Sequence, residues 1–266
     1  MNRKINSILC SLVILFSTFG WTSCDKNSNI EPLSLHQIEN NATKLYYGSK
    51  GGVTIIGGDG IYSFSCESSL LKVEMTQSNY ISIEPLGVGN ATITIKDSSG
   101  DSYILNVTVT YKSANIIISK LDATVVGNNM TADNQKELKE KMLATIPVKV
   151  GGGYKFVYTE GEKPDETKGI VYIYPDKYGY NGIEGTFKRV MVKHADGSYP
   201  YITFTLHYND VNRTFIFNEY QEPIVKSSQY RAYQFAEDLK EQYKTTYPNV
   251  EQVYTSQVIG SFTVEY

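Results

Sequence analysis

From about Lys44 to Thr110, apolar and polar residues alternate in short runs cut by Gly, Asp, Asn and Ser: TKLYYG, GVTIIGG, IYSFSC, LLKVEMT, YISIEPL, NATITIKD and YILNVTVTY. A period of two marks a strand with one buried face, and seven such runs at this spacing predict a small β-sandwich. In the last two runs Ile93 and Ile95, then Ile104 or Leu105 through Val107 and Val109, alternate around the turn DSSGDS, which predicts a hairpin. The short polar stretch YKSAN then sets a boundary, with one domain over 42–112 and another over 113–266.

The second domain opens on SANIIISKLDATVVGNN, a strand pair or a strand and loop, and then the period changes. In TADNQKELKEKMLATIP, Leu138, Met142 and Ile146 recur at helical spacing, Thr131 or Asp133 is placed to cap the start, and Pro147 ends it. The runs VKVGGGYKFVYTE, GIVYIYP, IEGTFKRVMVKH, YITFTLHY and RTFIFNEY predict an antiparallel meander. SSQYRAYQFAEDLKEQYKTTYP reads as a second helix, opening on Ser227 or Ser228, with Tyr233, Ala236, Leu239 and Tyr243 along one stripe. VIGSFTVEY closes the chain as a strand. The expected fold class is therefore mainly β: an N-terminal immunoglobulin-like β-sandwich followed by an α+β domain, an antiparallel sheet with two helices on one face.

The glycine-containing turn and aromatic strand GGDGIYSFS, the paired strands of LLKVEMTQSNYISIEPL and the closing GVGNATITIKDSSGDSYILNVTVT carry a resemblance. Together they resemble the bacterial immunoglobulin-like domains of group 2, over about residues 44–112. The resemblance implies a spacer, adhesive or interaction module of a cell-surface protein, and it brings no catalytic residues with it. A shared fold does not name a ligand.

At the N-terminus Arg3 and Lys4 precede an apolar stretch from Ile8 to Phe19, and small or polar residues lead to Cys24. That is the layout of a secretory signal, and it is shorter than the roughly 20 apolar residues of a membrane-spanning helix. On the residues alone, cleavage near Gly20 or no cleavage is also open. Ser23-Cys24 is similar to the end of bacterial lipoprotein signals, although Trp21 stands where that family carries an aliphatic residue. The resemblance implies a signal over 1–23, a lipid on Cys24, a tether over 24–41, and attachment to the cell envelope, at the outer membrane. With Cys10 removed and Cys24 acylated, Cys66 stands alone, and it is read as structural because no histidine lies near it in sequence.

The chain of 266 residues carries 25 Lys and Arg against 28 Asp and Glu, and loss of the signal leaves 23 against 28. This mildly acidic balance, without basic blocks, argues against a nucleic-acid partner. His194 and His207 fall on neighbouring strand runs but have no cysteine or further histidine at ligand spacing, so no metal or cofactor is expected. Glu160, Glu162, Asp165 and Glu166 lack the spacing of a calcium loop and read as a solvated hairpin tip. VGGGYKF leads into a strand, whereas phosphate cradles lead into a helix N-terminus, so it reads as a bulge or turn.

Tyrosine is the one residue type in excess. Of 22 tyrosines, 16 lie from Tyr154 onward. Tyr172 and Tyr174 share a strand face, Tyr178 and Tyr180 follow on a loop, and Tyr199 and Tyr201 flank another turn. Tyr178, Tyr180, Tyr199 and Tyr201 are the candidate ligand residues, since rings stack on sugars and hydroxyls bond them, against the plainer role of tyrosine in half-buried strands. The expected function is a non-catalytic, lipid-anchored envelope protein binding a glycan or a protein. The alternative is an accessory or assembly subunit of an outer-membrane complex, with a hydrolase ranked last. The anchor is testable by Cys24→Ala, which removes the only acylated thiol. Each buried methylene contributes about 0.8 kcal/mol to membrane attachment, so the variant is expected to leave the membrane fraction. If it still pellets with membranes, the lipid reading fails.

Overall fold

The computed structural model describes residues 31–161, 163–193, 200–219 and 232–265; the signal, Cys24 and the first part of the tether, through residue 30, lie outside them. Eight strands fall between Ser34 and Thr110: β1 (Ser34–Leu35), β2 (Ala42–Tyr46), β3 (Gly51–Ile56), β4 (Tyr62–Ser65), β5 (Leu71–Gln77), β6 (Tyr80–Pro85), β7 (Gly89–Asp97) and β8 (Ser102–Thr110). They make two four-stranded sheets, in the orders β1-β3-β6-β5 and β2-β8-β7-β4. Alternate residues of both sheets, among them Ile55, Ile81, Ile83, Ile93, Ile95, Leu105 and Val107, bury into one core. The hairpin read from the sequence forms, with Ile93 opposite Leu105. Leu33 and Leu35, within the stretch read as tether, belong to this core, and β2 joins β8 in parallel.

The expected immunoglobulin-like sandwich followed by an α+β domain does not form. From Ser113 onward the chain closes on itself as an eight-stranded barrel. Its strands are β9 (Ser113–Gly127), β10 (Gly153–Val157), β11 (Glu166–Tyr174), β12 (Ile183–Val192), β13 (Tyr201–Tyr208), β14 (Val211–Glu219), β15 (Tyr233–Asp238) and β16 (Val250–Glu265). Each pairs antiparallel with the next, and β16 returns to β9 from Val250↔Gly127 to Glu265↔Ser113. A covering layer of helices is thus replaced by the sheet's own far side. The run read as a strand pair or strand and loop is the single 15-residue strand β9. The run read as a second helix holds β15 and, after it, only one helical turn at Lys240–Tyr243; its start, through Arg231, lies outside the described residues.

Barrel curvature needs close backbone approaches, and glycines supply them. A Cβ on Gly153 would sit 1.9 Å from the Ile116 carbonyl oxygen, and one on Gly169 would sit 2.0 Å from that of Val157. Into the space enclosed point Tyr154, Phe156, Phe187, Phe204, Phe215 and Phe235, all buried. Phe156 lies at the centre, with ring centroids of Phe204 at 4.9 Å and Phe187 at 5.0 Å. Many outward positions are polar: Glu166 pairs with Lys188 at 2.8 Å, and the hydroxyls of Thr205 and Thr214 meet at 3.1 Å.

Helix α1 (Ala132–Thr145) starts where Thr131 Oγ1 accepts from the Asn134 amide at 3.2 Å and stops before Pro147. Leu138 and Met142 pack on Ala123, Val125, Val250 and Val253, on the stretch where β9 and β16 run past β10. The last turn of α1 has no basic residue of its own. Arg213 of β14 supplies one, donating Nη1–H to the Thr145 carbonyl, where the helix dipole favours a cation. The same guanidinium donates through Nε at 3.0 Å to Glu237 of β15, and its Nη2 donates to Glu237 as well. Burial opposes the Arg213 charge, but the bonds to Glu237 outweigh it and raise the pKa above its usual value. Beside them Tyr154 donates its hydroxyl to Gln257 Oε1 at 2.6 Å, and burial pushes that phenol far up.

Both members of the Arg213–Glu237 pair are 9% exposed. Removing one partner from such a pair typically costs about 3–5 kcal/mol, because the other charge stays buried and unpaired. Glu237→Gln is expected to lose that much in urea unfolding, whereas Arg213→Met with Glu237→Leu recovers most of it. Equal loss in the single and double variants would show that the pair's role is not electrostatic.

A short junction joins the two parts. Only Tyr111 and Lys112 separate β8 from β9, and Tyr111 meets Tyr47 edge-on at 5.8 Å. Gly48 (φ +80°) and Gly161 (φ +74°) bring two turns together where a Cβ on Gly48 would lie 3.0 Å from the Gly161 Cα.

Candidate functional site

With its lumen filled by aromatic rings, the barrel presents chemistry on its outer wall. Cross-strand register decides where. One row runs Ile216, Ala236, Ser256, Asp122 across β14, β15, β16 and β9. On one side lies the row Asn218, Gln234, Val258, Lys120, and on the other Asp238, Tyr254, Thr124. The middle row has two small residues, Ala236 and Ser256, between rows that carry long side chains, so the wall dips there. The result is a groove of about 830 Å³ lined mainly by outward residues of all four strands, with Lys240 of the following helical turn. That size lies within the range of small-molecule sites, roughly 300–1,000 Å³.

Ser256 is 4% exposed and forms the floor. Gln234 lines the groove at 8% exposure, and its side-chain oxygen is buried without a hydrogen-bond partner. Buried polar atoms are paired in the great majority of cases, so a lone acceptor in a groove marks a place for a donor. Asp122 Oδ1 accepts from the Ala123 amide at 2.8 Å, and Asp238 Oδ1 from the Lys240 amide at 2.8 Å; these bonds fix both carboxylates. Glu251 at the rim accepts from Asn128.

No protein-family model matches this chain, and no curated protein matches its sequence. The site therefore rests on its own geometry.

Among the described residues, the candidate tyrosines Tyr178, Tyr180 and Tyr201 do not assemble into one surface. Tyr178 and Tyr180 lie on the loop before β12, and Tyr201 starts β13 opposite Val192 at the other end of β12. Ten residues of strand separate these ends by about 30 Å at the usual rise. Tyr199 lies outside the described residues. Tyr180 is 61% exposed, with the Lys177 ammonium 4.6 Å from its ring centre. Tyr178 is committed to the fold: its hydroxyl donates to Asn115 Oδ1 at 2.5 Å and its ring meets Tyr174 edge-on at 4.8 Å. Burial first, then the neighbouring Tyr174 and Glu265, push its pKa up to about 12. Asn115 in turn donates to Glu265 at 3.0 Å, so Tyr178 clips the seam where β9 meets β16.

The other candidates have ordinary partners. Glu166 is bonded to Lys188 and Lys168, which lower its pKa, and Asp165 lies 3.5 Å from Lys193; Glu162 is outside the described residues. His207 faces Asn212 at 3.0 Å on the outer wall, and His194 is outside the described residues. Among the described residues no cluster of His, Cys, Asp or Glu is arranged to hold a metal. Cys66 packs against the first core together with Tyr62 and Phe64.

The groove residues were missed because Gln234, Ala236 and Asp238 fell within the run read as a helix. The weak signal was Tyr233, Phe235 and Glu237 at a period of two, the inward face of β15. Tyr178→Phe removes one hydrogen bond and is expected to cost about 1 kcal/mol, while exposed Tyr180→Ala stays within about 0.5 kcal/mol of the parent. Thermal unfolding reads both, and an unshifted Tyr178→Phe would release Tyr178 from its seam role.

Proposed function

We propose that this protein is a non-catalytic, lipid-anchored component of the bacterial cell envelope that binds a glycan through the outer wall of its barrel. The observation that carries the proposal is the groove over Ala236 and Ser256, with fixed carboxylates, amide side chains and a tyrosine ring around a floor of small residues. Sugars offer many hydroxyl donors and acceptors on a small apolar body, and a groove of this composition satisfies them. The aromatic packing inside the barrel supports an external site over a lumenal one. In this reading Cys24 holds the chain at the outer membrane, and the two-sheet unit is a spacer between lipid and barrel.

A second reading has one observation in its favour. Leu86 and Val88, 53% and 39% exposed, lie beside Leu70 at one end of the first unit, an apolar surface suited to an envelope protein partner. Such a surface belongs to an accessory subunit.

Ala236→Trp fills the middle row from outside without touching the lumen. On a glycan array the soluble Cys24→Ala protein is expected to bind, and the same protein with Ala236→Trp is expected to lose at least tenfold in affinity at unchanged melting temperature. A silent array together with recovery of a membrane protein in a pull-down that Leu86→Asp abolishes would replace the glycan reading by the subunit reading.

A further inference from the structure

We infer that the groove is selective for amine-bearing sugars, a polyol carrying a protonated primary amine, over neutral or acidic ones. This rests on the proposed reading of the groove as a glycan site and adds its charge preference.

The lining is biased towards acceptors. Gln234 presents a buried oxygen with no donor, so what arrives there must bring an N–H or O–H. Asp122 and Asp238 are held in place by backbone amides; the second oxygen of Asp122 lies 3.8 Å from the Lys120 ammonium in an exposed pair, and Asp238 keeps a second oxygen beyond its amide bond. Glu219 and Glu251 bring the lining carboxylates to four, and Lys240 is the one basic residue among the described lining residues. An acidic sugar would meet like charge at both ends of the dip. A neutral sugar satisfies the oxygens through hydroxyls alone. A protonated amine donates up to three bonds and carries the opposite charge, and charge-assisted bonds are about twice as strong as neutral ones. The floor of Ala236 and Ser256 leaves the centre free for the ring of the sugar, with Tyr254 beside it. The unpartnered amide and the acidic balance thus point to the same ligand by separate routes, one a missing donor and the other four carboxylates set against Lys240 and the neighbouring Lys120.

The test is titration calorimetry on the full mature chain with Cys24→Ala, using three probes: a β-1,4-linked glucosamine hexamer, its fully N-acetylated counterpart and an oligogalacturonate. The glucosamine hexamer is expected to bind at least tenfold more tightly than the acetylated one in dilute buffer, and the oligogalacturonate not at all. The gap is expected to narrow in 0.5 M salt, because exposed charges are screened over a few ångströms there. Asp122→Asn with Asp238→Asn, checked for folding by circular dichroism, is expected to erase the preference for the amine while leaving binding of the acetylated hexamer in place. Gln234→Met is expected to weaken both hexamers. Equal binding of the two hexamers by the parent overturns the charge preference and leaves the glycan site standing. Binding of neither, with an array unaffected by Ala236→Trp, removes the site as well. A lysine-rich peptide that displaces the glucosamine hexamer at equal affinity overturns the sugar assignment in favour of a basic peptide.

Discussion

Everything in the second half of the chain depends on one pairing, that of β9 with β16. It joins a 15-residue strand to a 16-residue strand and brings Ser113 to Glu265, where the serine hydroxyl donates to the carboxylate at 2.9 Å. Register shifts near Val258, Ile259 and Ser261 bend the pair, as bulges do, so that its upper part passes beyond β10 and meets helix α1. Until that pair forms, the meander is an open sheet with one apolar face. Once it forms, the face becomes a lumen, and aromatic rings fill it.

Closure creates a difficulty at the helix-covered end, where the lumen must stop. The chain solves it with polar groups. Arg213 ties β14 to β15 through Glu237 and to the C-terminus of α1 through the Thr145 carbonyl, so three elements share one guanidinium. Such a buried pair contributes little net stability but is expensive to break, and it fixes how the helix sits on the barrel. Thr255 and Gln257 lie on the inner face of the neighbouring strand, with Thr255 opposite Glu237 and Gln257 bonded to Tyr154.

The outer wall follows from the same registers. Because β14, β15, β16 and β9 are aligned as they are, Ala236 and Ser256 become neighbours and make a dip, and Gln234, Asp122 and Asp238 end up around it. A shift of one residue in β15 would turn Phe235 outward and bury Gln234 and Ala236 in the lumen. The groove is therefore a by-product of a register that the lumen enforces, which is why its residues carry no motif. The seam clip from Tyr178 to Asn115 works at the other side of β9 and holds the loop before β12 against the same closure.

The sequence by itself determined the local elements. Alternation located most strands, helical spacing with Thr131 and Pro147 bounded α1, and the hairpin of β7 and β8 was legible because its partners lie a few residues apart. It did not determine closure, since an antiparallel meander has the same pattern whether its ends meet or not, and the partners of β9 and β16 are well over a hundred residues apart. It misassigned β15, where YQFAED carries both a period of two and a helical stripe; pairing with β14 and β16 settled the conflict. Of the candidate site, the residue types were visible but not their meeting. Asp122, Gln234, Asp238 and Ser256 come from three strands separated in the chain, and only the barrel's register makes them one surface. Local periodicity records which side of a strand is buried; which strands lie side by side is decided by the long-range pairing that lets all the buried sides share one core.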